Sequence, residues 1–283
     1  MANLKEIRNR ISSVSSTMQI TSAMKMVSAA KLKKAQDAIV AMRPYSNKLT
    51  EILKDLSSSI DSDNSFIQNR NSDKTLIVCI TSNRGLCGGF NSNIIKECIS
   101  IADSQKNNTT AFFCIGKKGS DLLSKHHNVV LTKNEVYDDL SFENVKEIAD
   151  LLIQKFVDQE FDKIKIIYNR FKNAATQIVT NEQFLPIVTE NEHEQSNQDY
   201  IFEPKQSEIV NELIPKSLRT QLFKALRDSY ASEHGARMTA MHKATDNATE
   251  LRDQLKLTYN KARQTAITNE ILEIVGGAEA LNS

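Results

Sequence analysis

The stretch with the most chemical potential in this 283-residue sequence is SNRGLCGGFN, residues 82–91. It follows an apolar run, TLIVCI (75–80), and precedes a helical pattern. Glycines at such a place could let backbone N–H groups cradle a phosphate at a helix N-terminus. The string is neither G-x-G-x-x-G nor G-x-x-x-x-G-K-[ST], and it has no phosphate-binding lysine. A tight strand-to-helix turn is the structural alternative. Cys87 in the same loop could be nucleophilic, but no histidine lies near it in sequence. His126 and His127 sit at a short helix end, and His234 and His242 lie two turns apart on a long helical pattern. None has metal spacing such as H-E-x-x-H. Asp138–Asp139 reads as a surface turn. Lys25, Lys31, Lys33 and Lys34 could bind nucleic acid or an anionic membrane, yet residues 1–44 hold no Phe or Tyr to stack on bases. The pattern contains no catalytic constellation, and no cofactor or metal is expected.

The elements that carry these residues fall into three parts. The C-terminal part, from about Glu208 to Val275, is dominated by good helix formers and has one glycine, Gly235, between Pro215 and Gly276. From Met241 its apolar residues step by three and four through Ala244, Ala248, Leu251, Leu255, Tyr259 and Ala262. A helix this long needs a partner to bury that stripe. The N-terminal part supplies one: Leu4, Ile7, Ile11, Val14 and Met18 follow a coiled-coil spacing. The same register meets Thr21, Lys25 and Ser28, where Ile20, Met24 and Val27 take over one residue earlier; it returns at Leu32, Ala35, Ile39 and Met42. Pro44 kinks this helix without ending it. Pro215 and Gly235 interrupt the longer one. If both helices start level, the C-terminal tip projects some 15 Å past its partner. That tip, ILEIVGGAEALNS, has no Lys or Arg, and a bare apolar tip implies a socket in another protein.

Between the helices, a Ser/Asp/Asn-rich linker leads into alternating strand and helix signals. TLIVCI, TAFFCIG, NVVLT, DKIKIIYNRFKN and TQIVTNEQFLPI read as strands, the last two as a hairpin. NSNIIKECISIADS, KKGSDLLSKHH and FENVKEIADLLIQKFVDQ read as helices, the last with Val145, Ile148, Leu152 and Phe156 on one face. The expected fold is therefore an α/β protein: a Rossmann-like, mostly parallel α/β domain inserted in a long antiparallel coiled coil. The expected divisions are 1–57 (helix), 58–73 (linker), 74–204 (α/β domain) and 205–283 (helix). The four cysteines, Cys79, Cys87, Cys98 and Cys114, fit no zinc signature and read as buried thiols. Net charge is +1 overall but +6 over residues 1–57, so a basic arm stands beside an acidic middle. No run approaches a membrane span or a signal peptide.

Four separated strings carry a family resemblance: IRNRISSVSSTMQITSAMKMVSAAKL, SNRGLCGGFN, SEHGARMTAMHKATDNA and YNKARQTAITNEILEIVGGAEAL. Together they resemble the gamma subunits of F-type ATP synthases of the bacterial type, and Ile267 to Ala280 matches that family's I-T-x-E-x-x-E-x-x-x-G-A-x-A signature. The resemblance implies a non-catalytic central shaft inside a ring of three alpha and three beta subunits. The α/β domain would stand on the membrane ring of c subunits, beside epsilon. Proton flow would turn the shaft and drive the beta sites through their states, at the cytoplasmic face of the inner membrane. It implies beta catch-loop contacts at Arg263, Gln264, Thr268 and Glu270, a coupling contact at Met24 and Lys25, and c-ring and epsilon contacts at Tyr200, Phe202 and Glu203. Ile271, Leu272, Ile274 and Val275 would form the apolar bearing tip. The residue types alone leave open a coiled-coil scaffold whose α/β domain binds a nucleotide at the 84–90 loop.

Overall fold

The computed structural model describes residues 4–57, 66, 70, 74–104, 109–187 and 206–282. The linker and the 191–200 loop lie mostly or wholly outside them. The elements in chain order are α1 (Leu4–Ser57), β1 (Lys74–Ile80), α2 (Phe90–Ser104), β2 (Thr109–Ile115), α3 (Lys117–Leu123) and β3 (Val129–Lys133). A 3-10 turn (Glu135–Tyr137), α4 (Phe142–Val157), β4 (Lys163–Phe171), β5 (Gln177–Leu185) and α5 (Gln206–Asn282) follow. The chain divides into two compact units. One is Ser28–Arg237; the other joins the residues up to Val27 with those from Met238 onward.

The Ser28–Arg237 unit is built on a five-stranded sheet in the order β3-β2-β1-β4-β5. β1 pairs in parallel with both β2 and β4, and β3 joins β2 in parallel. β4 and β5 form the expected antiparallel hairpin, closing at Phe171 opposite Gln177. β1 is buried along all but its first residue because both faces are covered. Its Leu76, Val78 and Ile80 point into a core filled by Val145, Ile148, Leu152 and Phe156 of α4 and by Ile214, Leu218, Leu222 and Leu226 of α5. Its Ile77 and Cys79 point the other way, onto Phe90, Ile94 and Cys98 of α2. α4 starts where Ser141 accepts from the Asn144 N–H, with Glu143 in its first turn and Lys155 in its last, as the helix dipole favours.

Neither Pro215 nor Gly235 interrupts α5, which runs unbroken through both and on past Gly276 and Gly277. Gly235 has another reason to be small. A Cβ there would lie 3.2 Å from the Ala174 Cα and carbonyl oxygen, in the β4–β5 turn. The glycine admits a neighbouring backbone rather than bending its own helix. Pro44 likewise sits inside α1 without ending it.

In the other unit the first part of α1 lies antiparallel to the later part of α5. Arg8 Nη2 donates to Tyr259 Oη at 2.9 Å, Thr249 Oγ1 approaches Met18 Sδ at 3.4 Å, and Thr245 Oγ1 donates to Thr21 Oγ1 at 2.8 Å. Lys25 Nζ lies 3.4 Å from His242 Nδ1. Each pair has nearly the same sum of residue numbers, so one register holds throughout. It sets Leu4 level with about Arg263 and carries residues 264–282 roughly 28 Å past Leu4, about twice the expected overhang.

The seam also departs from expectation in its face. Thr21 and Ser28 are buried and Lys25 is half-buried, so the register of Leu4 and Ile7 continues through the polar residues. Ile20 and Val27 do not take over; they are 60% and 57% exposed. The cross-helix hydroxyl bond makes this possible, since it satisfies groups that would otherwise resist burial. On α5 the seam passes through Met241, Ala248, Leu255 and Tyr259, while Leu251 turns outward and the half-buried Arg252 takes its side.

Packing therefore predicts opposite results for two leucines of one helix. Leu222→Ala, at a fully buried site, should lower unfolding stability by about 2–5 kcal/mol. Leu251→Ala should stay within about 0.5 kcal/mol of wild type. Urea titration of the purified full-length chain measures both.

Candidate functional site: the Arg237 cluster and the end of α5

The 81–89 loop leaves the C-terminal end of β1 and feeds α2. Its polar groups are engaged with one another. The Ser82 N–H donates to Asn91 Oδ1 at 2.9 Å, and Asn91 Nδ2 donates to Ser82 Oγ at 2.8 Å and approaches Cys87 Sγ at 3.2 Å. The Phe90 N–H turns back to the Cys87 carbonyl. Leu86 and Gly88 adopt φ of 62° and 59°, which folds the loop tightly over the start of α2. The Asn91 side chain is thus spent on Ser82 and Cys87 within the loop. This favours the strand-to-helix turn over the phosphate cradle. Burial raises the Cys87 pKa, with Ser82 and Arg237 only partly offsetting it, so the thiol is not an activated nucleophile.

Arg237 of α5 closes over this loop. Its Nη2 donates to the carbonyls of Arg84 at 3.1 Å and Gly85 at 3.3 Å, and its Nε reaches the Gly85 carbonyl at 3.4 Å. Nη1 pairs with Glu233 Oε1 at 2.6 Å, one turn back, and lies 3.4 Å from His234 Nδ1. All three side chains are buried. Burial raises the Glu233 pKa, while Arg237 pulls it back. His234 is driven down to about 3 by burial, then by the nearby charges of Arg237 and Lys31. A neutral imidazole whose Nδ1 accepts from Arg237 fits both observations. Tyr230 packs edge-on against His234 with ring centroids 4.5 Å apart and stacks on Tyr137. Residue-type reasoning missed this cluster. The E-x-x-x-R spacing of Glu233 and Arg237, one turn apart on a helix, was the available signal.

The other positions are dispersed. Arg263, Gln264, Thr268 and Glu270 are all exposed on α5; Thr268 Oγ1 bonds the Gln264 carbonyl at 2.9 Å, and among the described residues no ion pair or hydrogen bond engages the Arg263 guanidinium. Ile271, Leu272, Ile274 and Val275 are 55–65% exposed, a bare apolar end. Met24 and Lys25 are half-buried on the seam. Tyr200, Phe202 and Glu203 lie outside the described residues. Of the remaining histidines, His127 packs edge-on against Phe112, and His242 pairs with Asp246 at 3.5 Å on an exposed face. Among the described residues no group of His, Cys, Asp or Glu is arranged to hold a metal ion, and no helix is long and apolar enough to cross a membrane.

A family model described as ATP synthase matches residues 3–281. The ATP synthase gamma chain of Flavobacterium psychrophilum is 67% identical over 99% of this chain and 99% of its own. This chain belongs to the ATP synthase gamma chain family. The gamma chain of Cytophaga hutchinsonii, 49% identical, also aligns over the full length of both chains. Among solved structures, a gamma-like fold recurs in the rotor of the Euglena gracilis mitochondrial ATP synthase. There the TM-score is 0.69 at 23% identity, covering 93% of this chain and 98% of that one. A chain of the Tetrahymena thermophila mitochondrial ATP synthase, from its central stalk and c ring, gives a TM-score of 0.60 at 25% identity, covering 80% and 99%. The gamma chain family thus shares the mostly parallel sheet and the two long helices described above.

The buried neutral His234 makes stability depend on pH. Its folded pKa, about 3, lies below the ordinary 6.5. Below pH 6.5 the unfolded chain therefore takes up a proton that the folded chain refuses, and stability falls as pH drops toward 3. Asp228 acts with the opposite sign, because burial raises it to about 6 and the folded chain binds its proton first. Wild type must accordingly be compared with His234→Gln at each pH. The variant should lose about 2 kcal/mol less stability than wild type between pH 7 and pH 5, read by thermal or urea unfolding.

Proposed function

We propose that this chain is the central rotor shaft of an ATP synthase. It couples proton flow through a membrane c ring to the conformational cycling of the catalytic sites, for ATP synthesis or hydrolysis. The observation that carries the reading is the end of α5. Residues 264–282 extend past Leu4 as a helix with five large apolar side chains exposed, Ile267, Ile271, Leu272, Ile274 and Val275, and no Lys or Arg after Arg263. A surface of that kind suits an apolar sleeve in which it can turn. At the start of this stretch, Arg263, Gln264, Thr268 and Glu270 offer exposed polar groups to catch loops of beta subunits. Met24 and Lys25 serve as a second coupling contact. The chain itself carries out no chemistry; the beta subunits do.

The finer assignments follow from the same reading. Three alpha and three beta subunits surround the helices. The α/β domain, residues 74–204, stands on the c ring beside epsilon through Tyr200, Phe202 and Glu203. The complex is peripheral at the cytoplasmic face of the inner membrane. The basic α1 fits acidic loops on the beta subunits.

The test is truncation after Leu257, with the complex purified from detergent-solubilised membranes. In wild type, ATP hydrolysis should co-purify with this chain and with the alpha and beta subunits. Truncation should lower ATP-driven proton pumping at least about tenfold, equivalent to about 1.4 kcal/mol. A chain that purifies alone and leaves hydrolysis and pumping unchanged would remove the shaft reading.

A further inference from the structure

Within the Ser28–Arg237 unit, α5 meets the sheet mainly through apolar side chains such as Leu218, Leu222 and Leu226. Such contacts are non-directional. They set which face of the helix is buried, but small rotations and slides about that position are resisted only by packing. Directional contacts are fewer. Arg219 meets Asp150 at 2.6 Å, but both are partly exposed and therefore screened. Arg227 donates to the Leu140 carbonyl, and Ser232 to the Asn169 carbonyl of β4. Arg237 differs from all of these. Only 7% exposed, it divides its guanidinium between a carboxylate on its own helix and two carbonyls of the loop that leaves β1.

Three features make this contact suited to transmitting force. β1 is the central strand, paired on both sides, so the loop that leaves it is anchored to the middle of the sheet. Glu233 fixes one edge of the guanidinium and leaves Nε and Nη2 aimed at the loop. Arg237 is also the last residue of α5 in this unit; Met238 already belongs to the other. The contact therefore stands where α5 leaves this unit.

We propose that Arg237, oriented by Glu233, is a positioning residue that locks α5 to the end of the central strand. Turning force passes through this lock between the α/β domain and the long helix. The proposal rests on the rotor-shaft reading and adds a defined place where the shaft is keyed to its base. Lysine cannot replace arginine in this role. A single compact ammonium cannot span the Glu233 carboxylate and two backbone carbonyls in one plane.

The experiment uses the complete membrane-bound complex carrying Arg237→Lys, Arg237→Ala or Glu233→Gln, with Lys216→Ala as a surface control. ATP hydrolysis and ATP-driven proton pumping are measured in the same vesicles, and hydrogen exchange follows the 82–89 amides. With the lock lost, hydrolysis continues while protons pumped per ATP fall by at least about threefold in Arg237→Ala and less in Arg237→Lys, which keeps the charge but not the fork. The 82–89 amides exchange faster in both, and the control matches wild type. A merely structural role would lower hydrolysis and pumping together and leave their ratio unchanged; that result overturns the proposal. So does failure of all three variants to assemble, which would mark Arg237 as a folding residue. If wild-type hydrolysis and pumping proved independent of this chain, the shaft reading itself would fall. An unchanged ratio in a coupled wild-type complex sinks the lock alone.

Discussion

A helix of 77 residues cannot hold itself in water, so every turn of α5 depends on what covers it. Along its sequence the cover changes twice. Residues 214–226 are sealed into the α/β core; residues 241–262 share a narrow seam with α1; residues beyond 263 have no cover among the described residues. Side-chain size follows the cover. Leucine and isoleucine dominate the core, while the seam mixes alanine, threonine and methionine with Leu255 and Tyr259. At the bare end large apolar residues cluster where they cannot stabilise this chain by itself.

The polar cluster at Arg237 is a different kind of solution. A buried ion pair contributes little net stability, because desolvation offsets the attraction. What Glu233 and Arg237 supply is direction. They add a directional contact to a helix whose buried face is already set by packing, at the loop carbonyls of Gly85 and of Arg84, the second of which also accepts from Ser82 Oγ at 2.6 Å. Gly235 and Ser232 act within the same turn of α5. One admits the Ala174 backbone, and the other donates to Asn169. Ser232, Glu233, Gly235 and Arg237, all near this turn, are thus chosen for close approach or hydrogen bonding rather than for bulk.

The α/β part was readable because its strands are continuous apolar runs and its helices have clear faces. TLIVCI had to be a doubly covered strand, and Val145, Ile148, Leu152 and Phe156 had to share one helix face. The seam was less readable. Ile20 and Val27 have the apolar character of seam residues, while Thr21 and Ser28 do not. Burial was decided by a hydrogen bond between Thr21 and Thr245, 224 positions apart in sequence, and no local periodicity contains that information. The overhang of α5 was underestimated for the same reason, since register is a property of the pair. The family strings did point to the exposed positions Arg263, Gln264, Thr268 and Glu270. The Arg237 cluster went unread because its loop partners are backbone carbonyls, which every residue has.

The cysteines lead in another direction. All four are free and buried, and all lie in the Ser28–Arg237 unit. Cys79 and Cys114 face each other on adjacent strands, and burial among neighbouring thiols raises both pKa values. Reaction with oxidants and thiol reagents proceeds through exposed thiolate, and these side chains offer none. The folded chain is therefore chemically silent toward such reagents. A single cysteine placed on the bare end of α5 would be its one addressable thiol, with all four native cysteines left in place.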